Sequence, residues 1–127
     1  MISLDRRQFV GALLASEASL RFARGGAPRL KKDENRSIVL ADGRRLGFAE
    51  YGDPTGTPIL YFHGLPASRL EARFTAEQAQ TEKCRLISVD RPGIGLSDPL
   101  RGRNIADWPS DVLQLLDHLK LGRFAMI

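Results

Sequence analysis

Short apolar runs alternate with turn-rich stretches along the chain from Ser37 onward. The runs read SIVL, RLGFAEY, PILYF, RLISV and FAMI, and they begin at residues 37, 45, 58, 85 and 124. Runs of this length, rich in β-formers and bounded by Gly, Pro, Asp or Asn, are typical of strands. The pattern therefore predicts five strands.

The segments between these runs differ in type. The first two runs flank a central Asp42-Gly43 pair, which is a strong hairpin signal. Residues 70–83 contain no Pro or Gly and are rich in helix formers, so they predict one helix. After Asn104, a capping residue, apolar positions recur with a helical period; these are Ile105, Trp108, Val112, Leu115, Leu116 and Leu119. Pro109 lies early in this second predicted helix and Gly122 is expected to end it.

The order hairpin, strand, helix, strand, helix, strand predicts an α/β fold. Strands separated by helices favour a parallel sheet with right-handed crossovers, here entered through an antiparallel pair. In such sheets ligands bind beyond the carboxyl ends of the strands. The corners His63-Gly64 and Asp90-Arg91-Pro92-Gly93 both fall at those ends, so any chemistry is expected at that edge.

Composition excludes several classes of protein. The 127 residues allow one modest domain, and the formal net charge is +4. The first 45 residues hold ten Lys/Arg against five Asp/Glu, whereas the remaining residues hold nine against ten. No basic face with interleaved aromatic residues and no zinc-finger pattern is present, so nucleic-acid binding is not predicted. The single cysteine, Cys84, excludes a disulfide framework and a cysteine metal cluster, and is interpreted as a small buried hydrophobe.

Residues 1–34 are interpreted as a leader outside the domain, which then covers residues 35–127. The stretch Arg6-Arg7-Gln8-Phe9-Val10 resembles a twin-arginine export signal. A short amphipathic or disordered extension is the alternative. The first implies export to the periplasm and the second is compatible with a cytoplasmic protein. The apolar run at residues 9–15 is too short to cross a membrane, so no stable membrane span is predicted.

Three motifs together carry a resemblance to a known family. They are LADGRRLGFAEYGDPTGTPILYFHGLPASR, VDRPGIGLSD and DWPSDVLQLLDHLKLGRFAMI. In this order and spacing, residues 37–127 resemble the first part of an α/β-hydrolase-fold enzyme, in the subgroup with an HGxPxSR corner and a DRPGxGxS loop. The resemblance implies a partial α/β-hydrolase sheet with two helices. It also implies a Ser, Asp or Cys nucleophile on a sharp turn after the fifth strand, followed by an acid and a His.

The same resemblance implies roles for the first corner. The backbone N–H of Leu65 is expected to be one donor of an oxyanion hole, the set of N–H groups that stabilises negative charge on a reacting carbonyl oxygen. Gly64 is expected to let the backbone turn without a Cβ clash. His63, Pro66 and Arg69 are expected to support the loop, His63 through hydrogen bonds and Arg69 by bracing rather than by touching substrate.

The second corner supplies the loop after the fourth strand, with five motif positions: Asp90, Arg91, Gly93, Gly95 and Ser97. Ser97 lies in G-I-G-L-S, which is a loop pattern and not the G-x-S-x-G of a nucleophile. Gly93 and Gly95 lack the third glycine of a dinucleotide loop. The remaining polar candidates have simpler structural interpretations: Ser68 as a motif position, His118 as a solvated helix residue, and Asp107 with Asp111 as helix-start residues.

The catalytic groups themselves are missing from the sequence. No G-x-S-x-G occurs in the 127 residues, so no nucleophile, triad acid or triad base is assigned, and neither a metal nor a cofactor is predicted. One hypothesis is a fragment of a hydrolase that acts on an ester or similar bond of a small-molecule substrate. The other is a non-catalytic, degenerate half-domain that serves as an interaction module. A partner chain that supplies further strands is a third, less favoured interpretation.

A partial sheet has predictable weaknesses. The run from Phe124 to Ile127 is expected to form an apolar edge with one side unpaired, which promotes aggregation. With only two helices, one face of the sheet is expected to be poorly covered. We therefore expect the isolated chain to be marginally stable or to aggregate, and to lack esterase activity.

Overall fold

A computed structural model describes residues 32–127, in which five strands form one mixed sheet. The strands are β1 (Arg36–Val39), β2 (Arg45–Gly52), β3 (Thr57–Phe62), β4 (Cys84–Val89) and β5 (Ala125–Met126). Their order across the sheet is β1-β2-β4-β3-β5. The predicted α/β class, with an antiparallel hairpin followed by parallel strands, is confirmed. The residues that resemble an export signal lie outside the described part of the chain.

The hairpin forms where the Asp-Gly pair predicts it. β1 pairs with β2 in antiparallel register, with Val39 opposite Arg45. Gly43 has a φ of +85°, in the left-handed region that glycine adopts at little cost. The turn is closed by the Leu40 amide, which donates to the Arg44 carbonyl at 2.8 Å.

The parallel part of the sheet brings the two corners to one edge. β4 pairs with β2 antiparallel and with β3 parallel, so β3 and β4 both end at the same edge. β5 pairs with β3 in parallel, with Ile59 opposite Ala125. The ladder continues past β5, because the Phe62 amide donates to the Ile127 carbonyl at 2.9 Å. Residue 127 therefore lies beside the carboxyl end of β3.

The first predicted helix is only partly helical. A 3-10 segment covers Arg69–Thr75, and the α-helix that follows, α1, covers only Ala76–Thr81. The prediction of one helix over residues 70–83 was wrong in this respect. The start of the segment is held by tertiary contacts, since both the Arg69 amide and its guanidinium bind Asp90. Lys83, with a φ of +52°, ends the helical stretch before β4.

The second helix, α2, covers Trp108–Leu119 after a 3-10 turn at Ile105–Asp107. Asn104 caps this turn as predicted: its Oδ1 accepts from the Ala106 amide at 2.7 Å, and its own amide donates to Asp107. The expectation that Gly122 ends the helix was wrong. Lys120, with a φ of +55°, ends it, and its amide donates to the Asp117 carbonyl at 3.1 Å.

Hydrophobic residues alternate along β2, β3 and β4 and form one core cluster on each face of the sheet. The α2 side contains Ile38, Leu40, Leu46, Phe48, Leu60, Ile87, Val89, Val112, Leu115 and Leu116. The α1 side contains Ala49, Tyr51, Ile59, Ala72, Ala79, Cys84 and Leu86. The expectation of one poorly covered face was wrong, because each face has a helix. Exposed apolar side chains include Phe124, Met126 and Ile127 at and beside β5. Others are Val39, Leu65, Phe74, Ile105 and Leu113.

The packed region begins slightly before residue 35. Lys32–Glu34 form a 3-10 turn, and Glu34 is buried. Its carboxylate pairs with Arg73 at 2.8 Å, and its carbonyl accepts from Arg69 at 2.7 Å. Glu34 therefore joins the domain to the segment that follows the first corner, a contact that the sequence did not suggest.

Candidate active site

The first corner starts with a buried histidine. β3 ends at Phe62, and His63 is fully buried beside the second corner. The Arg91 amide donates to His63 Nε2 at 3.2 Å, so Nε2 carries no proton. His63 Nδ1 lies 2.8 Å from the Gly64 carbonyl oxygen, which can only accept, so Nδ1 carries the proton and donates. His63 is thus a neutral imidazole that connects the loop after β3 with the loop after β4.

These contacts orient the next peptide group. The Gly64 carbonyl accepts from His63 and also from the Ala67 amide, at 3.1 Å. In a planar trans peptide the C=O and the following N–H point in opposite directions. The Leu65 N–H is therefore directed away from His63. Within residues 32–127 no acceptor is recorded for this N–H, and Leu65 itself is 77% exposed.

Gly64 was expected to avoid a Cβ clash, and this expectation was wrong for the described part of the chain. Its φ is not in the left-handed region, and a Cβ built on it would have no heavy atom within 4 Å. Neither strain nor crowding by the described residues requires glycine at this position. The space in front of the residue is open, so a side chain would instead project over the corner.

Asp90 is the central acceptor of the second corner. It is fully buried, and one carboxylate oxygen accepts from the Arg69 amide at 2.7 Å. The other oxygen accepts from the Arg69 guanidinium and from the Leu96 amide, both at 2.8 Å. A buried carboxylate needs such partners, because an unpaired charge in the interior is very costly. Asp90 thereby ties the segment after the first corner to the loop after β4.

Arg69 has no free guanidinium nitrogen. Nη1 binds Asp90, Nε donates to the Glu34 carbonyl at 2.7 Å, and Nη2 donates to Asn35 Oδ1 at 2.7 Å. The residue is 5% exposed. Each of its three guanidinium nitrogens donates to a group inside the protein, and this geometry favours bracing over contact with a substrate.

The loop after β4 is compact around Asp90. The Ser97 hydroxyl donates to the Asp90 carbonyl at 2.8 Å and accepts from the Gly47 amide at 2.9 Å, so this buried serine is a structural link. Gly95 has a φ of +56°, and a Cβ there would lie 2.1 Å from Asp90 Oδ2. Gly93 has a φ of +83°. Both glycines are thus required by the path of the loop.

Sequence reasoning missed Gly47, in the middle of β2. A Cβ at this position would lie 2.5 Å from Leu96 Cβ and 2.9 Å from Asp90 Oδ2. Glycine in a strand interior can mark a close approach of another backbone, and this was the available signal. Glu71 was also missed: its Oε2 lies 3.2 Å from the Gly64 amide nitrogen.

The other candidates lie apart from the corners or have structural partners. His118 is exposed on α2. Asp111 is buried and forms a bidentate ion pair with Arg44, at 2.7 and 3.0 Å. Ser68 caps the 3-10 segment through the Leu70 amide. Cys84 is buried, and this burial raises the pKa of its thiol, with a further contribution from Glu82.

A cleft of about 470 Å³ lies between the hairpin turn and the start of α2, and none of the predicted site residues lines it. Among the described residues, no group of His, Cys, Asp and Glu is arranged to hold a metal ion. None of the helices within residues 32–127 has the length and apolar character needed to cross a membrane. The Leu65–Pro66 peptide bond is cis.

The fold is that of an α/β protein in which the loops after β3 and β4 meet at the carboxyl ends of these two parallel strands in a mixed sheet. A family model described as the alpha/beta hydrolase fold matches residues 57–127. The chain therefore belongs to the α/β-hydrolase fold family. A protein of Mycobacterium phage D29, named as a non-heme haloperoxidase, is 32% identical over 91 residues, covering 71% of this chain and 32% of that protein.

Solved structures agree with this assignment. An esterase from Exiguobacterium antarcticum superposes with a TM-score of 0.64 at 27% identity, covering 72% of this chain and 34% of the esterase. A bromoperoxidase from Bacillus anthracis superposes with a TM-score of 0.62 at 26% identity, covering 72% and 33%. The chain thus spans about a third of the length of the relatives it matches.

Proposed function

We propose that this chain is the N-terminal portion of a hydrolase that acts on an ester or a similar bond of a small molecule by nucleophilic catalysis. In this proposal the Leu65 N–H is one donor of the oxyanion hole. The observation that carries it is the orientation of the Gly64–Leu65 peptide, whose N–H has no acceptor among residues 32–127 while its C=O has two donors.

The surroundings support this role. The Leu65 amide follows β3, and residue 127 pairs with the end of that strand. A segment that continues from residue 127 would start beside the corner, and the family resemblance implies a nucleophile on a sharp turn after the fifth strand. The second oxyanion donor, the acid and the general base would come from that continuation. His63 is not a candidate base, because both of its ring nitrogens are engaged in the two loops.

The decisive experiment reads the encoding DNA past codon 127 and expresses the complete reading frame. We expect a G-x-S-x-G, or an equivalent turn with Asp or Cys, within a few codons, and turnover of an activated ester by the longer polypeptide. The 127-residue chain alone is expected to show no turnover above buffer. Turnover by the short chain would contradict the proposal.

A pair of substitutions in the longer polypeptide tests the donor itself. Leu65→Pro removes the N–H, and is expected to lower kcat about a hundredfold to a thousandfold, the usual loss for one oxyanion donor. Leu65→Ala keeps the N–H and is the matched control. Equal losses in the two variants would show that the side chain and not the amide matters.

A second candidate is a non-catalytic half-domain that serves as an interaction module. The exposed edge at β5 favours it, because Met126 is 64% exposed and Ile127 45% exposed. A true stop after codon 127, together with a folded and soluble product, would support this candidate over the first.

A further inference from the structure

We propose that Glu71 is a positioning residue for the first corner. Its carboxylate accepts a hydrogen bond from the Gly64 amide. The following amide, that of Leu65, remains a donor without an acceptor within residues 32–127. The inference deepens the proposed function and rests on it.

Backbone contacts hold Glu71 beside the first corner. It lies in the 3-10 segment that starts at Arg69, and its own amide donates to the Ser68 carbonyl at 2.9 Å. The same segment is fixed to the second corner, because Arg69 pairs with the buried Asp90 at 2.8 Å. The position of the Glu71 side chain is therefore coupled to the buried contacts below the site.

A single carboxylate oxygen of Glu71 receives two donors. Oε2 accepts from the Tyr61 hydroxyl at 2.9 Å and from the Gly64 amide at 3.2 Å. Burial raises the pKa of Tyr61, and the neighbouring Glu71 adds to this effect. The phenol therefore remains protonated at neutral pH and continues to donate. Tyr61 thus fixes the carboxylate from β3, while the carboxylate fixes Gly64.

The three contacts of Gly64 then act together. Glu71 holds its N–H, and His63 and Ala67 hold its C=O. Two successive amides of the corner consequently differ: that of Gly64 is occupied, and that of Leu65 has no acceptor within residues 32–127. Without Glu71, rotation about Gly64 is restrained on only one side.

Hydrogen exchange of the 127-residue chain, read by mass spectrometry at micromolar concentration with overlapping peptides, tests this inference. Glu71→Met keeps the length of the side chain but removes the acceptor, whereas Glu71→Gln keeps an acceptor oxygen. We expect Glu71→Met to speed exchange at Gly64 about threefold or more relative to Ala67, as loss of one hydrogen bond of ordinary net strength at an exposed site implies. Glu71→Gln is expected to restore most of the protection.

The controls separate positioning from general loosening. Ala67 lies in the same loop and bonds to Gly64, so a merely destabilised loop would speed both amides equally. Glu77→Met, at an exposed glutamate of α1, is the matched substitution and should leave the Gly64 to Ala67 ratio unchanged. An unchanged ratio in Glu71→Met, or the same change in Glu77→Met, would overturn the inference.

The wild-type chain provides a measurement that needs no variant. Corrected for sequence effects, Gly64 should exchange more slowly than Leu65; equal rates would overturn the role of Glu71 even if Glu71→Met fails to fold. Protection of both amides would instead remove the free donor and count against the proposed function. In that case the comparison of Glu71→Met with Glu71→Gln would still decide the role of Glu71.

Discussion

Replacing Asp90 by alanine should destabilise the fold more than replacing any exposed acid. The substitution removes the acceptor of the Arg69 amide, the Arg69 guanidinium and the Leu96 amide. Arg69 would remain 5% exposed, with its main counter-ion gone. The consequence is an unpaired buried charge and two unsatisfied backbone donors.

The size of the effect follows from the burial of both partners. Breaking a buried ion pair by removing one partner costs about 3–5 kcal/mol. Domains of this size have a total free energy of unfolding of about 5–15 kcal/mol, and a partial sheet should lie at the low end. We therefore expect Asp90→Ala to be largely unfolded at 25 °C without denaturant.

The loss of stability is measured by urea unfolding, monitored by circular dichroism and by Trp108 fluorescence. The matched control is Asp98→Ala, which also removes the acceptor of an arginine side chain and amide, those of Arg45, but where the two side chains are 34% and 60% exposed. Exposed pairs contribute little, so the control should shift the urea midpoint only slightly. A cooperative transition of Asp90→Ala at the same midpoint as Asp98→Ala would refute the argument that burial of this pair matters.

Three further predictions concern other sites. Gly95→Ala should destabilise the chain by about 1–3 kcal/mol more than Gly102→Ala does. Both glycines have a positive φ, but only at Gly95 would a Cβ press onto Asp90. The urea midpoints of the two variants measure the difference. The raised pKa of Cys84 leaves little thiolate at pH 7.5, so a thiol reagent should label it slowly until urea unfolds the chain, and rapid labelling of the folded chain would contradict this. Burial, with a contribution from Glu34, raises the pKa of Tyr51 to about 12 in the folded state. A raised pKa means that the folded state binds the proton more tightly than the unfolded state. The contribution of Tyr51 to the free energy of unfolding should therefore be complete below pH 10 and lost towards pH 12. Tyr51→Phe should abolish this alkaline loss, and urea unfolding measured across this pH range checks it.

Local signals were sufficient for the elements whose cause is local. The Asp-Gly turn, the strand β2 that follows it and the cap at Asn104 all appear in the structure where the sequence predicts them. Each depends on residues only a few positions apart, so a single stretch contains the whole cause.

Predictions failed where distant residues compete with local preference. Residues 70–83 have good helix propensity. Arg69, however, binds Asp90, and the chain begins this stretch with a 3-10 segment instead of a regular helix. Gly64 was expected to relieve a clash, but the glycines crowded against Asp90 are Gly47 and Gly95, and Gly52 and Gly56 are crowded against the backbone at Cys84 and Lys83. Crowding of this kind depends on which strands become neighbours, and no local pattern shows it.

By itself, the sequence determined the fold class, the order of elements and the two corners at the carboxyl ends of β3 and β4, because periodicity and turn chemistry are written in adjacent residues. Only the tertiary structure decided which backbone groups at the first corner form hydrogen bonds and which N–H has no acceptor among the described residues. His63 and Glu71 take the C=O and N–H of Gly64, and no described residue takes the N–H of Leu65. The physical reason is that hydrogen bonds between residues far apart in sequence depend on the register and packing of whole strands.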